Sequence, residues 1–501
     1  MARYLSKSFS KDSQNSFDEP LKTSTETLST IIEDSCLVDT EIVIIGNGPA
    51  GLSLSAFLSG WQPFYDVNSP HSDPRIHEKL SQNAEQSLLD QDLSWFEEEF
   101  GEIINPSVRP VAHLLDMLMR PVNCLRFTYN ENTDIPHLVL GETDIGGSWT
   151  EYDEEMVTVS LINWLNLPGF TIEEWLKGQP LIARLPAGVV REYLKAYAEQ
   201  MNLLNKIRPK TKVTEVTKMH NGFNKETYYQ ISGENSEGHP FTIKCNKVIL
   251  ACGKSHQRHL EVEGEYMEPN VVYDVANLKR VVHIEGLSTD SRIIVVGDGI
   301  SAADAINLCL KNEFPVLHIM RRGESQLRQT MLSKLSSSIY PEYASAYKLM
   351  TGKQKNHLYE RMTSASVIKL NNKVATVRIF DKEVNEPFQA LIACIGRRSE
   401  LPMFPEKMEF NADYRCDSDP HIFAVGSLAG DHFIRYLVGG CLQVAGTLLK
   451  DRELELKQKK LQIVQNQMTQ QLLEVERRQK RLRRKPATRC CWLSHILSTT
   501  S

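Results

Sequence analysis

Five short apolar runs punctuate a chain of otherwise mixed character: Glu41-Ile-Val-Ile-Ile45, Lys247-Val-Ile-Leu-Ala251, Arg292-Ile-Ile-Val-Val296, Leu391-Ile-Ala-Cys-Ile395 and Ile422-Phe-Ala-Val425. Hydrophobicity that is continuous over four or five residues, without alternation, marks strands buried on both faces, as in a parallel sheet covered by helices. Amphipathic helical stretches lie between these runs, so the pattern predicts an α/β architecture. From Trp61 to about residue 135 the sequence turns acidic and helix-prone, as in Ser87-Leu-Leu-Asp-Gln-Asp-Leu-Ser-Trp-Phe96, and reads as a helical insertion in the first α/β unit. Residues 1–39 are rich in Ser, Thr, Lys and Asp and read as a disordered leader. At the other end Leu454, Leu461, Met468, Val475 and Leu482 recur every seven residues, while the companion positions are mostly polar. That seam predicts a long helix, either solvated or in a weak coiled coil.

The runs at Glu41–Ile45 and Arg292–Val296 both lead into glycine turns. Gly46-Asn-Gly-Pro-Ala-Gly51 precedes the helical Leu52-Ser-Leu-Ser-Ala-Phe-Leu58, giving GxGxxG in the strand–turn–helix setting that dinucleotide binding needs. Gly46 permits the turn, Gly48 lets backbone approach a pyrophosphate beside Pro49 and Ala50, and Gly51 lets helix and strand pack closely. Gly297-Asp-Gly-Ile-Ser-Ala302 repeats the pattern with Gly297, Gly299 and Ser301, and Ala302 replaces the last glycine. The strand Val316-Leu-His-Ile-Met320 then ends in Arg321-Arg322. An NAD site keeps a carboxylate at that point; arginine favours the 2′-phosphate of NADPH. Two such units in one chain indicate FAD on the first and NADPH on the second.

The expected organisation is an FAD-binding domain over 40–290 with the insertion at about 61–135, an NADPH-binding domain over 291–385, a return to the FAD-binding domain over 386–449, and a basic helical tail over 450–501. An acid is expected at the end of the first unit's second strand. It is Glu142 if the insertion delays that strand to Pro136–Gly141, or Asp66 if the strand precedes the insertion.

Composition narrows the alternatives. Ten scattered cysteines form no CxxC pair, which argues against a zinc site and a disulfide reductase and suits a reducing cytosol. No stretch reaches the ~20 apolar residues of a membrane span, and the N-terminus lacks a signal-peptide core. Net charge is −6, yet Lys450–Arg489 holds 13 Lys/Arg against 5 Asp/Glu, leaving about −14 for the rest of the chain.

Further segments resemble a known superfamily. Ile145-Gly-Gly-Ser-Trp149, with Gly146, Gly147 and Trp149, resembles the GG-x-W segment of flavin-containing and Baeyer–Villiger monooxygenases. Asp90–Leu93, Asn105-Pro106, Thr158–Pro168, Ser301-Ala-Ala-Asp304 and Ile339-Tyr-Pro-Glu-Tyr343 resemble the oxidative stress-induced growth inhibitor family within it, over about residues 40–450. The resemblance implies an NADPH-dependent flavin monooxygenase, with reduced FAD taking up O2 as a hydroperoxide that oxygenates a soft nucleophile. The substrate would be a small molecule or a protein side chain, and the family role lies in growth and cell division. The rival readings are an NADPH oxidase that releases H2O2 and a catalytically degenerate scaffold. Ile422-Phe-Ala-Val-Gly426 resembles the last flavin-binding strand, but the aspartate usual after Gly426 is absent and Asp431 follows four residues after Ser427. Asp431 either reaches the flavin or caps the next helix. The superfamily signature FxGxxxHxxxY/W/F is not legible between Gly264 and Leu287, and His256 and His259 read as surface or loop histidines.

Arg477–Arg489 carries eight basic residues and no acid, followed by Cys490-Cys491. It reads as an address for a membrane surface or the cytoskeleton on an otherwise cytoplasmic protein. Nuclear import, RNA contact and a plain solvated helix are rival readings of the same charge. No stacking aromatics accompany it, so no nucleic-acid partner is expected.

Overall fold

The strand Thr40–Ile45 lies between His137–Leu140 and Pro240–Leu250 and is parallel to both, with Ile44 opposite Val139 on one side and Ile249 on the other. Its continuous hydrophobicity has a direct cause. Ile42 and Ile44 enter a core with Leu52 and Phe57 of the following helix, while Val43 and Ile45 enter a second core with Ile231, Val248 and Leu250 on the opposite face. The computed structural model describes residues 38–483, apart from residues 105, 180–181, 221–226, 255 and 285–286. The leader before residue 38 and the end of the tail from residue 484, including Cys490-Cys491, lie outside the described residues.

Ile207–Arg208 and Ile422–Ala424 complete the parallel part of this sheet, and Lys212–His220 and Thr227–Glu234 extend it as an antiparallel meander on the near half of Pro240–Leu250. A second sheet of five parallel strands runs in the order Val271–Val272, Ala390–Ala393, Ile293–Val296, Val316–Ile319, Tyr359–Met362. Here too alternate residues of one strand serve two cores: Ile293 and Val295 face one, Ile294 and Val296 the other. The parallel strands at the heart of both sheets agree with the α/β expectation. By pairing, Ala390–Ala393 belongs to the second sheet, although a reading of order along the chain sets it after residue 386 with the first.

The insertion is not purely helical. Its helices at Pro74–Ser81, Trp95–Phe100 and Pro110–Met119 are framed by an antiparallel pair, Trp61–Tyr65 with Leu125–Tyr129, whose aromatic and branched side chains suit strands. The chain closes with one 50-residue helix, Ile434–Arg483. Its first turns pack on the helices Pro49–Leu58 and Pro110–Met119 at close range. A Cβ on Gly439 would stand 2.3 Å from Ala112 Cα, and the Cys441 thiol donates to Ala50 O at 3.3 Å. Asp116, buried in the insertion, accepts from Arg120 Nη1 and from Arg435 Nε, both at 3.0 Å, and so ties the insertion to the long helix. No helix among the described residues is long and apolar enough to cross a membrane.

Candidate dinucleotide sites

Gly46 has φ +119°, and a Cβ there would stand 2.4 Å from Ala251 O; one on Gly51 would stand 1.9 Å from Gly46 O. The first and third fingerprint glycines are therefore required by backbone contact. Gly48 differs, since the atoms nearest its absent Cβ are Gly146 O and Gly147 Cα at 3.8 Å. It starts the helix Pro49–Leu58 with no side-chain cap, so no side chain takes up the first-turn amides. The GG segment closes over this turn. Gly146 N donates to Asn47 O at 3.1 Å, and the buried Asn47 side chain donates to Thr143 O at 2.9 Å and Asp144 O at 3.1 Å. Gly147, at φ +62°, opens the 3-10 turn that carries Trp149.

Of the two acids, the topology favours Glu142. His137–Leu140 is the strand beside Thr40–Ile45, so Glu142 stands just past its end, exposed, with Lys212 Nζ at 3.0 Å. Trp61–Tyr65 lies outside that sheet and takes Asp66 with it. Gly426, at φ +69°, ends the last strand against the helix start, where a Cβ would stand 2.8 Å from Ala50 Cβ. Asp431 turns inward: its carboxylate is 2% exposed and sits beside Arg109 Nη1 at 3.4 Å, with Tyr414 next to it. Burial raises this carboxyl to about 6.

The second turn repeats the first. Gly297 has φ +120° and would clash with Cys394 O at 2.2 Å, whereas nothing lies within 4 Å of a Cβ on Gly299, which starts the helix Ile300–Lys311 without a side-chain cap. Ala302 is buried against the strand, and Ser301 and Arg321 are exposed. Arg322 pairs with Asp298 inside the glycine turn. The cradle over each uncapped helix start suits a pyrophosphate, and the donor set is that of a dinucleotide fold. The segment after Trp149 reaches across to the second unit, where Arg184 Nη1 donates to Glu342 Oε1 at 2.6 Å. His256 and His259 are half-buried beside Glu400 and Glu265.

Motif reading overlooked His318. It is fully buried in the strand Val316–Ile319 and donates from Nε2 to Gly297 O, so its Nδ1 accepts from the Tyr359 hydroxyl at 2.7 Å. The signal was one polar residue in an apolar run. His137 does the same for the first sheet, donating from Nδ1 to Ile135 O at 2.7 Å and accepting from Ser55 Oγ at 2.8 Å. Burial lowers each imidazole to about 4. The unfolded chain takes up these protons first, so the stability each contributes is full above pH ~6.5 and falls as pH approaches 4, by about 2 kcal/mol per histidine at pH 5. Denaturant midpoints at pH 7.5 and pH 5 should show that loss, and His137→Gln with His318→Gln should flatten the pH dependence. A wild-type midpoint equal at both pH values would sink this account.

Comparison with known proteins fits this geometry. The model of the pyridine nucleotide-disulphide oxidoreductase family matches residues 129–421. The Caenorhabditis elegans oxidative stress induced growth inhibitor homolog osgn-1 is 41% identical over 433 residues, covering 81% of this chain and 93% of its own. The chain belongs to the oxidative stress-induced growth inhibitor family. Human oxidative stress-induced growth inhibitor 2 is 28% identical, over 84% of this chain and 95% of its own. Among solved structures, ornithine hydroxylase of Pseudomonas aeruginosa superposes with a TM-score of 0.54 at 12% identity, over 82% of this chain and 99% of that one. Bacillithiol disulfide reductase of Staphylococcus aureus gives 0.53 at 14%, over 82% and 98%. This member of the growth inhibitor family is thus a flavoprotein oxidoreductase by fold, and its two dinucleotides are FAD and NADPH.

Proposed function

We propose that FAD binds on the Gly46–Gly51 turn and NADPH on the Gly297–Ala302 turn, and that the chain is an NADPH-dependent flavin monooxygenase acting on a soft nitrogen or sulfur nucleophile. The observation that carries this reading is the pair of uncapped helix starts: a Cβ on Gly299 would meet nothing within 4 Å and one on Gly48 nothing nearer than 3.8 Å, whereas at Gly46, Gly51 and Gly297 a backbone carbonyl stands where a Cβ would go. Bound flavin would pass the electrons of NADPH to O2, leaving one oxygen atom on the substrate and one in water. The chain's part is to bind, orient and exclude water. Amides at Ala50 and Gly51 face the first pyrophosphate, Glu142 reaches the ribose, and the Gly146–Trp149 turn covers the first site. Ser301 and the helix start hold the second pyrophosphate, and Arg321 offers a cation to the 2′-phosphate.

Thiol chemistry has less support. The described cysteines are all unpaired, and burial pushes Cys252, beside the first turn, up to about 11 and Cys394, beside the second, higher still. The family's growth-inhibitor names support a role in growth control. The test is an absorbance spectrum of the purified protein in air, then NADPH. A flavin band that bleaches, with peroxide well below one per NADPH once substrate is supplied, is expected. One peroxide per NADPH under every substrate tried would make it an oxidase, and a colourless protein that ignores added FAD would make it a scaffold.

A further inference from the structure

The chain passes between the first and second sheets after Leu250 and again after Ala393, and the two crossings pair only as His256–Gln257 with Arg397–Arg398. A further link is made by side chains. Residues 156–162 and 183–187 run together as a ribbon, with Thr158 N donating to Leu185 O at 2.8 Å and Ile162 N to Ala183 O at 3.0 Å. Ile162 and Leu185 root this ribbon in the core of the first unit, while its Val159 packs against the core of the second.

Arg184 projects from the ribbon into the second unit, with its side chain 7% exposed. Its Nε donates to Thr158 O at 2.6 Å within the ribbon, and its Nη1 donates across to Glu342 Oε1 at 2.6 Å and Ile339 O at 3.3 Å. The guanidinium lies over the rings of Tyr340 and Tyr343, 4.5 and 5.3 Å from their centroids. Tyr340 donates back to Val159 O at 2.7 Å, and the Tyr343 hydroxyl is hydrogen-bonded to Asp304 on the helix that starts at the second glycine turn. Just before the ribbon, Asp153 and Glu155 both pair with Lys279 of the helix Val275–Ile284, which packs in the second unit. The segments Thr158–Pro168, Ser301–Asp304 and Ile339–Tyr343, far apart in sequence, thus meet around one guanidinium, and of them only Ser301 belongs to a cofactor cradle.

A planar fork with fixed donors is satisfied in one arrangement. If the second unit swung away, Arg184 would keep Thr158 O and lose the carboxylate, the Ile339 carbonyl and both rings together. An ion pair this buried repays its desolvation only where the geometry is right, so it selects an orientation more than it adds stability. Its Nη2 has no partner among the described residues, which further limits its value as glue.

We propose that Arg184 is a positioning residue for flavin reduction, holding the NADPH-binding unit against the FAD-binding unit in the orientation that electron transfer requires. This rests on the two-cofactor reading above, in which a hydride passes from NADPH, oxidised to NADP+, to FAD, which takes a further proton from water. Each cofactor is gripped by the glycine turn of its own unit, so the approach of one to the other is decided by how the units sit together. Reacting atoms must come to about 3–3.5 Å, and a misplacement of about 1 Å can cost roughly a hundredfold in rate.

The test is made on the full chain loaded with flavin. Arg184→Met should keep its flavin and bind NADPH within about twofold of the wild type, while anaerobic flavin reduction at saturating NADPH slows roughly a hundredfold. Arg184→Lys, which keeps the charge without the fork, should slow it only about tenfold. Lys279→Glu lies outside both cores and turns attraction to Asp153 and Glu155 into repulsion, so it should also slow reduction about tenfold, and it carries the comparison should Arg184→Met not fold. With no reductant present, hydrogen–deuterium exchange in Arg184→Met should be about tenfold faster at residues 156–162 and 341–346 and unchanged in the strands Thr40–Ile45 and Ile293–Val296. An unchanged limiting rate, a loss that appears in NADPH binding instead, or unchanged exchange would overturn the positioning role and leave the two-cofactor reading intact. A wild type whose flavin is not reduced by NADPH would overturn that reading, and the positioning role with it.

Discussion

Gly48→Glu should leave the protein folded and remove its flavin. The nearest atoms to a Cβ at Gly48 are 3.8 Å away, so a Cβ can be added there without moving backbone. Its carboxylate would project into the space where uncapped amides of the helix Pro49–Leu58 await an anion. Two like charges about 4 Å apart repel by about 4 kcal/mol at an effective dielectric constant near 20, which is roughly a thousandfold in affinity. Flavin content of the purified variant and its thermal unfolding report the two halves of the prediction. Stoichiometric flavin in a folded variant would show that the first turn does not hold the pyrophosphate. Gly51→Val is the contrasting case. A Cβ there meets Gly46 O at 1.9 Å, so that variant should lose the fold along with the cofactor.

Arg321→Ala should raise the KM for NADPH roughly thirtyfold, the loss of about 2 kcal/mol expected for a charge-assisted hydrogen bond, and leave the KM for NADH nearly unchanged. The neighbouring Arg322 pairs with Asp298 within the glycine turn, so its removal should slacken the turn and weaken both cofactors alike. Initial-rate kinetics on both variants with both cofactors separates a reader of the 2′-phosphate from a brace for the loop. Equal losses for NADPH and NADH in Arg321→Ala would remove it from the recognition of the phosphate.

Local chemistry made much of the fold legible. The runs at 41–45 and 292–296 read as buried parallel strands because both faces of each strand enter a core, and that leaves an unmistakable apolar stretch. The glycines of both turns are legible for the same local reason: φ near +120° at Gly46 and Gly297, and a carbonyl where a Cβ would go, leave no other residue possible. The long C-terminal helix also followed from its spacing alone.

What the sequence could not rank were contacts made across the chain. Sequence favoured Glu142 over its rival Asp66 only weakly, and it is strand pairing that sets His137–Leu140, and not Trp61–Tyr65, beside Thr40–Ile45. His318 looked like an oddity in a strand until its ring met Gly297 O, 21 positions away in sequence. Asp431 carried the two roles that its distance from Gly426 allowed, until packing turned its carboxylate onto Arg109 from the insertion. Backbone conformation and strand burial are written in neighbouring residues, whereas the direction of a polar side chain depends on which distant segment arrives beside it.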